Sequence, residues 1–283
     1  MAYTLRWHGH TLDLSSRTHV MGVLNVTPDS FSDGGDYFET DRAVARGMEM
    51  AREGADVIDI GGESTRPYSE PVSAAQEMDR VIPVIEALHK EIRVPISIDT
   101  CKAAVARKAL MAGASIINDI SALRFDPEMA PSAADAGVPV ILMHMKGTPG
   151  NMQDHPVYRD LIPEILNFLK EALARCEAAG IARDLTMVDP GIGFGKTFDH
   201  NLQVIQGLSR FQDLDRPVLL GPSNKAFIGH ILKKKPHERV TGSMAAVAAG
   251  VLNGAHMVRV HYVREAVETV RIIDAIKRGK AEG

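Results

Sequence analysis

Cysteine is scarce in this sequence. Cys101 and Cys176 are the two cysteines among 283 residues, and their separation matches no metal-ligand spacing. The count therefore indicates neither a disulfide framework nor a zinc module, and two lone thiols suit a reduced cytosol. We expect a cytoplasmic protein.

Long apolar runs and an excess of one charge sign are also missing. No stretch approaches the roughly 18 apolar residues of a membrane span. The first 14 residues are unlike a signal peptide because Arg6, His8 and His10 interrupt them. A net charge of -4 provides no bulk attraction for nucleic acid or anionic lipid. We expect neither kind of partner.

Short apolar runs alternate with helical stretches from residue 18 onward. This alternation predicts parallel βαβ units, and eight of them in about 250 residues predict an α/β fold, a (β/α)₈ TIM barrel. A doubly wound open sheet is the alternative. Residues 3–14 read as a hairpin turning at Gly9, so we expect residues 1–17 to cap a barrel domain at 18–283. The predicted strands are 20–26, 56–61, 95–100, 115–120, 139–145, 186–190, 217–222 and 257–262. The predicted helices include 74–91, 102–112, 161–179, 201–211, 243–253 and 263–278.

Polar side chains stand where these apolar runs end. Single residues of this kind are commonly helix caps. A polar residue at the end of every run is better explained by an active site, because the sites of such barrels lie at the carboxyl ends of the strands. The residues are Asn25, Glu63 to Arg66, Asp99, Asn118, Asp119, His144, Asp189, Ser223 to Lys225, Arg259 and His261.

The first strand leads into an unusual loop, VMGVLNVTPDSFSDGG at residues 20–35. An ordinary turn needs the glycine pair, but it does not need Phe31 between two serines with aspartates on either side. Loops of this kind often close over a ligand. The stretch resembles the first motif of the dihydropteroate synthase family, whose members join a pterin to p-aminobenzoate in the folate pathway. Further motifs of that family follow in order along nearly the whole chain.

Two carboxylates and an amide, from Asp99, Asn118 and Asp189, suit a flat heterocycle with several N–H donors. A carboxylate can accept paired bonds from the amino group and ring N–H of a pterin. The family resemblance implies that Asp189 takes this edge with Asn118 beside it, that Asp99 lies across the ring, and that Met143 packs under it. A divalent metal site on the two aspartates is the alternative.

The segment DPGIGFGKT at residues 189–197 has three glycines, but their spacing is not that of a dinucleotide fingerprint. We expect the glycines to let the backbone pass close to a ligand. The resemblance places Phe194 and Ser223 at the p-aminobenzoate and Lys225 on the pterin carbonyl and ring nitrogen. A merely solvated lysine is the alternative reading for Lys225.

Arg259 and His261 are two residues apart on a strand and therefore face the same way. With Thr65 and Arg66 they form a predicted anion site that matches a pyrophosphate. A structural role for His261 remains an alternative. The family usually has arginine, aspartate and glycine where this chain has Asn224, Tyr262 and Tyr68. By alternation we expect Tyr262 to point into the scaffold, so that the change affects packing.

The resemblance implies an SN1-like substitution in which pyrophosphate leaves a pterin methylene and the amine of p-aminobenzoate attacks. Asn25 would bind Mg²⁺ on the pyrophosphate. The loops of Phe31 and Asp33 and of Thr65, Arg66 and Pro67 would close over the site and order the p-aminobenzoate. Catalysis is thereby assigned to Phe31, Asp33, Lys225 and Arg259. A sulfonamide should compete for the second pocket, and the family is usually homodimeric.

Two other functions remain open. A methyltetrahydrofolate-corrinoid methyltransferase would share the pterin carboxylates, but it would need no pyrophosphate site. A non-catalytic pterin-binding paralogue would bind the pterin pyrophosphate without turnover, and the changes at Asn224 and Tyr262 motivate this alternative.

Overall fold

The computed structural model describes residues 3–27, 35–64 and 69–281. Ten strands and nine α-helices lie in these ranges. The strands are β1 (Thr4–Trp7), β2 (His10–Asp13), β3 (His19–Asn25), β4 (Val57–Gly61), β5 (Ile96–Asp99), β6 (Ile116–Asp119), β7 (Val140–Met143), β8 (Thr186–Asp189), β9 (Leu219–Leu220) and β10 (Met257–Val260). The helices are α1 (Gly35–Arg52), α2 (Ala74–Glu91), α3 (Ala103–Ala112), α4 (Met129–Ala136), α5 (Leu161–Ala178), α6 (Phe198–Gln206), α7 (Ala226–Leu232), α8 (Val240–Leu252) and α9 (Val263–Arg278).

Strands β3 to β10 form one parallel sheet of eight, in the order β8-β7-β6-β5-β4-β3-β10-β9. The two outer strands meet through a parallel bridge between Val188 and Val218, which brings the sheet round on itself. The apolar residues of the barrel strands are buried because helices cover the outside of the barrel and side chains fill its inside. The predicted TIM barrel is confirmed, and the open sheet is not the fold.

The helix predictions were right at α2 and α9 and wrong at one place. The predicted helix 201–211 is instead α6, which ends at Gln206, followed by a 3₁₀ segment, Leu208–Leu214. Helix α6 begins earlier because the Thr197 hydroxyl accepts from the His200 N–H at 3.1 Å, while the His200 ring accepts from the Thr197 N–H at 3.2 Å. Helices α1, α4 and α7 were not among the predicted stretches.

The predicted hairpin is present as β1 and β2, with Trp7 paired to His10. The turn residues His8 and Gly9 both have positive φ, 41° and 83°, which matches the twist of a tight antiparallel turn. The hairpin packs beside the amino ends of the barrel strands, where the rings of Tyr3 and His256 form a T-shaped pair with centroids 5.1 Å apart. Its apolar side chains belong to the main core. The boundary between residues 17 and 18 stays a prediction.

Register puts the functional groups on one face of the sheet. Asn25 pairs with Gly61, Gly61 with Asp99, and Asp99 with Asn118. Partners in a parallel ladder point to the same side, so these residues face the barrel interior at the carboxyl ends of the strands.

Within the described ranges, no helix is both long and apolar enough to cross a membrane.

Candidate active site

Arg259 lies at the centre of the charged groups in the barrel mouth. Its Nε donates to Asp59 Oδ2 at 2.6 Å, and its Nη2 donates to Asp99 Oδ2 at 2.7 Å. The Arg259 side chain keeps 20% of its surface exposed, whereas the Asp59 side chain is fully buried. One guanidinium thus joins strands β10, β4 and β5 and still reaches solvent.

Burial and pairing shift the pKa values of this group. Burial raises the pKa of Asp99 to about 7, although Arg259 opposes the rise. Burial works against the charge of Arg259 as well, but Asp59 and Asp99 more than offset it and raise the pKa of Arg259. Arg259 therefore stays cationic next to Asp59 and Asp99.

Asn118 joins this group through its amide. Its Nδ2 donates to Asp59 Oδ2 at 3.0 Å, and the whole side chain is buried. The next residue, Asp119, serves the loop instead, because its carboxylate accepts from the backbone N–H groups of Ser121 at 2.7 Å and Leu123 at 2.9 Å. Of this adjacent pair, Asn118 is the one that faces the mouth.

Asp189 ends β8 beside an apolar patch. Its Oδ1 accepts from the Gly191 N–H at 2.7 Å, and burial raises the pKa of Asp189 to about 6. The patch is a small buried cluster set apart from the main core, made of Ile120, Met143, Met145, Met152 and Phe194. A carboxylate next to an apolar surface is suited to a flat ring with N–H donors on one edge.

Lys225 approaches the same patch from the β9 side. Its Nζ lies 4.4 Å from the centre of the Phe194 ring. Burial and the nearby Arg259 lower the pKa of Lys225 to about 8. The side chain is half-buried and directed at the aromatic face, which argues against the reading of Lys225 as a merely solvated lysine.

His261 and Ser223 form a pair at the ends of β10 and β9. The Ser223 hydroxyl oxygen lies 3.0 Å from His261 Nδ1 and also accepts from the His261 N–H at 3.2 Å. Ser223 is buried, while His261 is half-buried. The hydroxyl thus orients the imidazole at the rim beside Arg259.

Lys196 was missed by the sequence reasoning, which treated its segment as a glycine-rich loop. Its fully buried Nζ lies 2.8 Å from His144 Nδ1 and donates to the carbonyls of Gly191 at 2.9 Å and Phe194 at 3.1 Å. Burial lowers the pKa of Lys196 to about 7, and burial and Lys196 lower that of His144 well below its usual value. Lys196 therefore holds the loop that carries Phe194.

Packing within the chain explains two glycines of this loop, and the expected approach of the loop to a ligand stays a prediction. Gly191, Gly193 and Gly195 all have positive φ, from 61° to 86°. A Cβ on Gly191 would lie 1.9 Å from the His144 carbonyl oxygen, and one on Gly195 would lie 2.5 Å from that of Lys146. These two glycines let the loop pack against the chain after β7.

Several predicted residues lie outside the described residues: Phe31, Asp33, Thr65, Arg66, Pro67 and Tyr68. The chain just before residue 65 is anchored by Glu63, which pairs with Lys102. Lys102 also pairs at 2.6 Å with Glu77, which is buried in α2. Asn25 is half-buried at the end of β3, opposite Gly61 in the ladder.

The described residues include no group of three or more histidine, cysteine or acidic side chains that could hold a metal ion. The Asp99 carboxylate is bonded to Arg259. This pairing disfavours the alternative of a divalent metal held by Asp99 and Asp189.

Comparison with known proteins identifies the family. Residues 21–261 match the family model described as "Pterin binding enzyme". The dihydropteroate synthase of Escherichia coli strain K12 is 46% identical over 272 residues, covering 96% of each chain. The chain belongs to the dihydropteroate synthases. A Yersinia pestis dihydropteroate synthase solved as a sulfonamide drug complex has a TM-score of 0.92 at 47% identity, covering 97% of this chain and 99% of that one. The Xanthomonas albilineans enzyme solved with 4-aminobenzoic acid has a TM-score of 0.92 at 44% identity, covering 98% and 99%.

Two of the expected departures from the family pattern, Asn224 and Tyr262, lie within the described residues. Asn224 has a φ of 60°, in the left-handed region that asparagine adopts more readily than arginine does. Its carbonyl accepts from Arg239 at 2.9 Å. Tyr262 is not in the strand, because β10 ends at Val260 and Tyr262 is the N-cap of α9, without a side-chain capping bond. Strand alternation therefore does not apply to Tyr262, and the expected packing role of its side chain stays a prediction.

Proposed function

We propose that this dihydropteroate synthase condenses 6-hydroxymethyl-7,8-dihydropterin pyrophosphate with p-aminobenzoate, giving 7,8-dihydropteroate and pyrophosphate. As a transferase it moves the pterin methylene from oxygen to nitrogen. The observation that carries the proposal is the composition of the barrel mouth. Acceptors for a pterin edge, Asp189 and Asn118, share it with a partly exposed guanidinium, Arg259, that suits a leaving anion.

The pterin ring is held first. Asp189 accepts from the amino group and ring N–H, Asn118 accepts beside it, and Met143 packs against the ring face. Lys225 donates to the ring carbonyl and nitrogen from its position over Phe194. Such charge-assisted bonds contribute about 1.5–3 kcal/mol each. Together they fix the methylene carbon beneath Arg259.

The bond between the methylene carbon and the pyrophosphate oxygen then breaks, and the electron pair leaves with the pyrophosphate. The electron-rich pterin carries the positive charge on the methylene, while Arg259 and His261 receive the anion. The p-aminobenzoate nitrogen forms the new bond and loses a proton to water. Phe194 and Ser223 orient this second substrate. The protein thus contributes orientation and anion binding more than proton transfer.

A magnesium ion fits this scheme as a companion of the pyrophosphate. Asn25 offers an amide oxygen on the inner face, and Gly61 opposite it has no side chain to block the approach. Magnesium commonly takes most of its ligands from phosphate oxygens and water. When bound, the ion would neutralise charge on the leaving group. Phe31, Asp33, Thr65, Arg66 and Pro67 complete the proposed site by closing over both substrates.

We also propose a homodimer in the cytoplasm. Helices α6, α7 and α8 are mutual neighbours, and the Phe198 ring on α6 lies 4.6 Å from the ring of His230 on α7. Exposed apolar side chains on these helices offer a surface for a second copy: Phe198, Ile231, Leu232 and Leu252. Light scattering of the purified chain would test the dimer, and fractionation of cells would test the compartment.

The deciding experiment measures pyrophosphate release from the pterin pyrophosphate, with and without p-aminobenzoate and Mg²⁺. Release that requires the metal and yields dihydropteroate in step with added p-aminobenzoate supports the proposal. Binding without product would indicate the paralogue, with Asn224→Arg as the first variant to assay. Binding to a cobalamin protein would indicate the methyltransferase.

A further inference from the structure

Asp59 is a buried carboxylate that contacts two residues of the candidate site, Asn118 and Arg259. It lies in the middle of β4, between Ile58 and Ile60, and its side chain is fully buried. One carboxylate oxygen, Oδ2, accepts hydrogen bonds from both Asn118 Nδ2 at 3.0 Å and Arg259 Nε at 2.6 Å. The other oxygen, Oδ1, is buried and has no hydrogen-bond partner among the described residues. A buried carboxylate is costly unless its partners compensate, so its position between two site residues needs a reason.

The contact with Asn118 sets the orientation of an amide. A carboxylate oxygen only accepts, so the amide nitrogen of Asn118 must face Asp59. If the amide turned over, its carbonyl oxygen would lie against Asp59 Oδ2, and two acceptors would repel each other. The carbonyl oxygen of Asn118 is therefore directed away from Asp59 and is available to a ring N–H. Without Asp59, both orientations of the amide become accessible.

We propose that Asp59 is a positioning residue that acts through Asn118 and Arg259. It locks the Asn118 amide with its acceptor toward the pterin, and it holds the Arg259 side chain by its Nε. Because Nη2 of Arg259 is bonded to Asp99, Nη1 is the nitrogen left for the leaving anion. Asp59 itself stays buried below the ligand. This inference rests on the proposed function, because the amide orientation matters only to a ligand with a donor edge.

A double-mutant cycle tests the route through Asn118. Calorimetry of the full chain with bare 6-hydroxymethylpterin should show about a tenfold loss of affinity in Asp59→Ala, the size expected for one misplaced hydrogen bond. In the Asn118→Ala background, the same Asp59→Ala change should alter affinity less than about twofold, since the amide it orients is gone. Equal losses in both backgrounds would overturn the proposal and leave Asp59 a purely structural residue.

Two further variants separate positioning from folding. Asp59→Asn can place its oxygen at the Oδ2 position and keep both bonds, so its pterin affinity should stay within about threefold of wild type. Ser97→Ala is the matched control. Ser97 pairs with Asp59 in the ladder, is fully buried, and its hydroxyl has no partner among the described residues. It should leave pterin affinity unchanged. A loss in Ser97→Ala equal to that in Asp59→Ala would contradict a specific role.

A measurement without ligand keeps this inference separate from the proposed function. In NMR spectra, the side-chain amide protons of Asn118 should exchange slowly with solvent in wild type and in Ser97→Ala. They should exchange at least about tenfold faster in Asp59→Ala, because a buried hydrogen bond is lost. Unchanged exchange in Asp59→Ala would overturn the proposal. If wild type bound no pterin at all, the proposed function would fail while this signal still reported on Asp59.

Discussion

Replacing Gly191 by alanine tests the packing of the loop that follows Asp189. Gly191 has a φ of 72°, and an added Cβ would lie 1.9 Å from the His144 carbonyl oxygen. Gly180, just after α5, is the matched control, because its φ is 84° and nothing lies within 4 Å of its added Cβ. Both variants place an alanine at positive φ and share that cost, but only in Gly191→Ala does the added Cβ collide with another part of the chain.

The structure sets the size of the difference. An alanine in the left-handed region costs about 1–2 kcal/mol, and Gly180→Ala should lose no more than that. At Gly191 the chain must also move, which disturbs the bond from its N–H to Asp189 and the bond from Lys196 to its carbonyl. Two weakened charge-assisted bonds bring the expected loss to about 4 kcal/mol or more. The unfolding entropy is about 2.1 cal/mol/K per residue, so each 1 kcal/mol lost from the free energy of unfolding lowers the Tm of this chain by about 2 °C.

Thermal unfolding of both variants, followed by circular dichroism, is the assay. Gly180→Ala should lower the Tm by about 2–4 °C and Gly191→Ala by about 8 °C or more. Calorimetry with the bare pterin should show a lower pterin affinity in Gly191→Ala and an unchanged affinity in Gly180→Ala, because Asp189 moves only in the first variant. Equal drops in Tm would refute the reasoning, because the loop would then have room for the methyl group.

Three other predictions concern single side chains. Because burial raises the pKa of Asp189 to about 6 and the carboxylate is the acceptor, pterin affinity should fall about tenfold as the pH drops one unit below that value. Calorimetry at several pH values would show this, and a similar slope in Asp189→Asn would contradict it. Tyr262→Asp should supply the missing cap of α9 and stabilise the fold by about 1 kcal/mol, seen as a higher Tm; a lower Tm would count against the cap. Lys196 has its pKa lowered to about 7, below its unfolded value, so its contribution to stability grows as the pH rises above 7. The advantage of wild type over Lys196→Met in urea unfolding should therefore grow from pH 6 to pH 9, by up to about 1.4 kcal/mol per unit, and a constant advantage would refute this.

Much of the architecture was predictable because parallel strands in a barrel are buried on both faces. Each apolar run then marks a strand, and the polar residue that ends it marks the mouth. This reasoning predicted that Asp99, Asn118, Asp189 and Arg259 would gather at one end, and the structure places them there. It says nothing of which side chains pair, since that depends on distances between strands far apart in sequence.

Asp59 and Lys196 show where sequence reasoning stopped. Asp59 has a detectable signal, a lone charge inside the apolar run Val57–Gly61, but it lies in the middle of its strand, whereas barrel active sites are expected at strand ends. Lys196 had no local signal, because a lysine beside glycines is typical of an exposed loop. Its burial follows from the loop folding back against His144. The roles assigned to Phe31, Asp33, Thr65, Arg66 and Pro67 stay predictions.

The junction between the two outer strands of the sheet, β8 and β9, lies directly below two residues of the proposed site. Strand β9 spans two residues, and in the part of the chain that the structure describes it meets β8 through the bridge between Val188 and Val218. Asp189 follows this junction on one side, and Lys225 follows it on the other. In the proposed complex, a pterin ring bonded to both side chains spans this junction. We therefore expect pterin binding to stabilise the contact between β8 and β9, because a ligand that binds the closed wall favours that state.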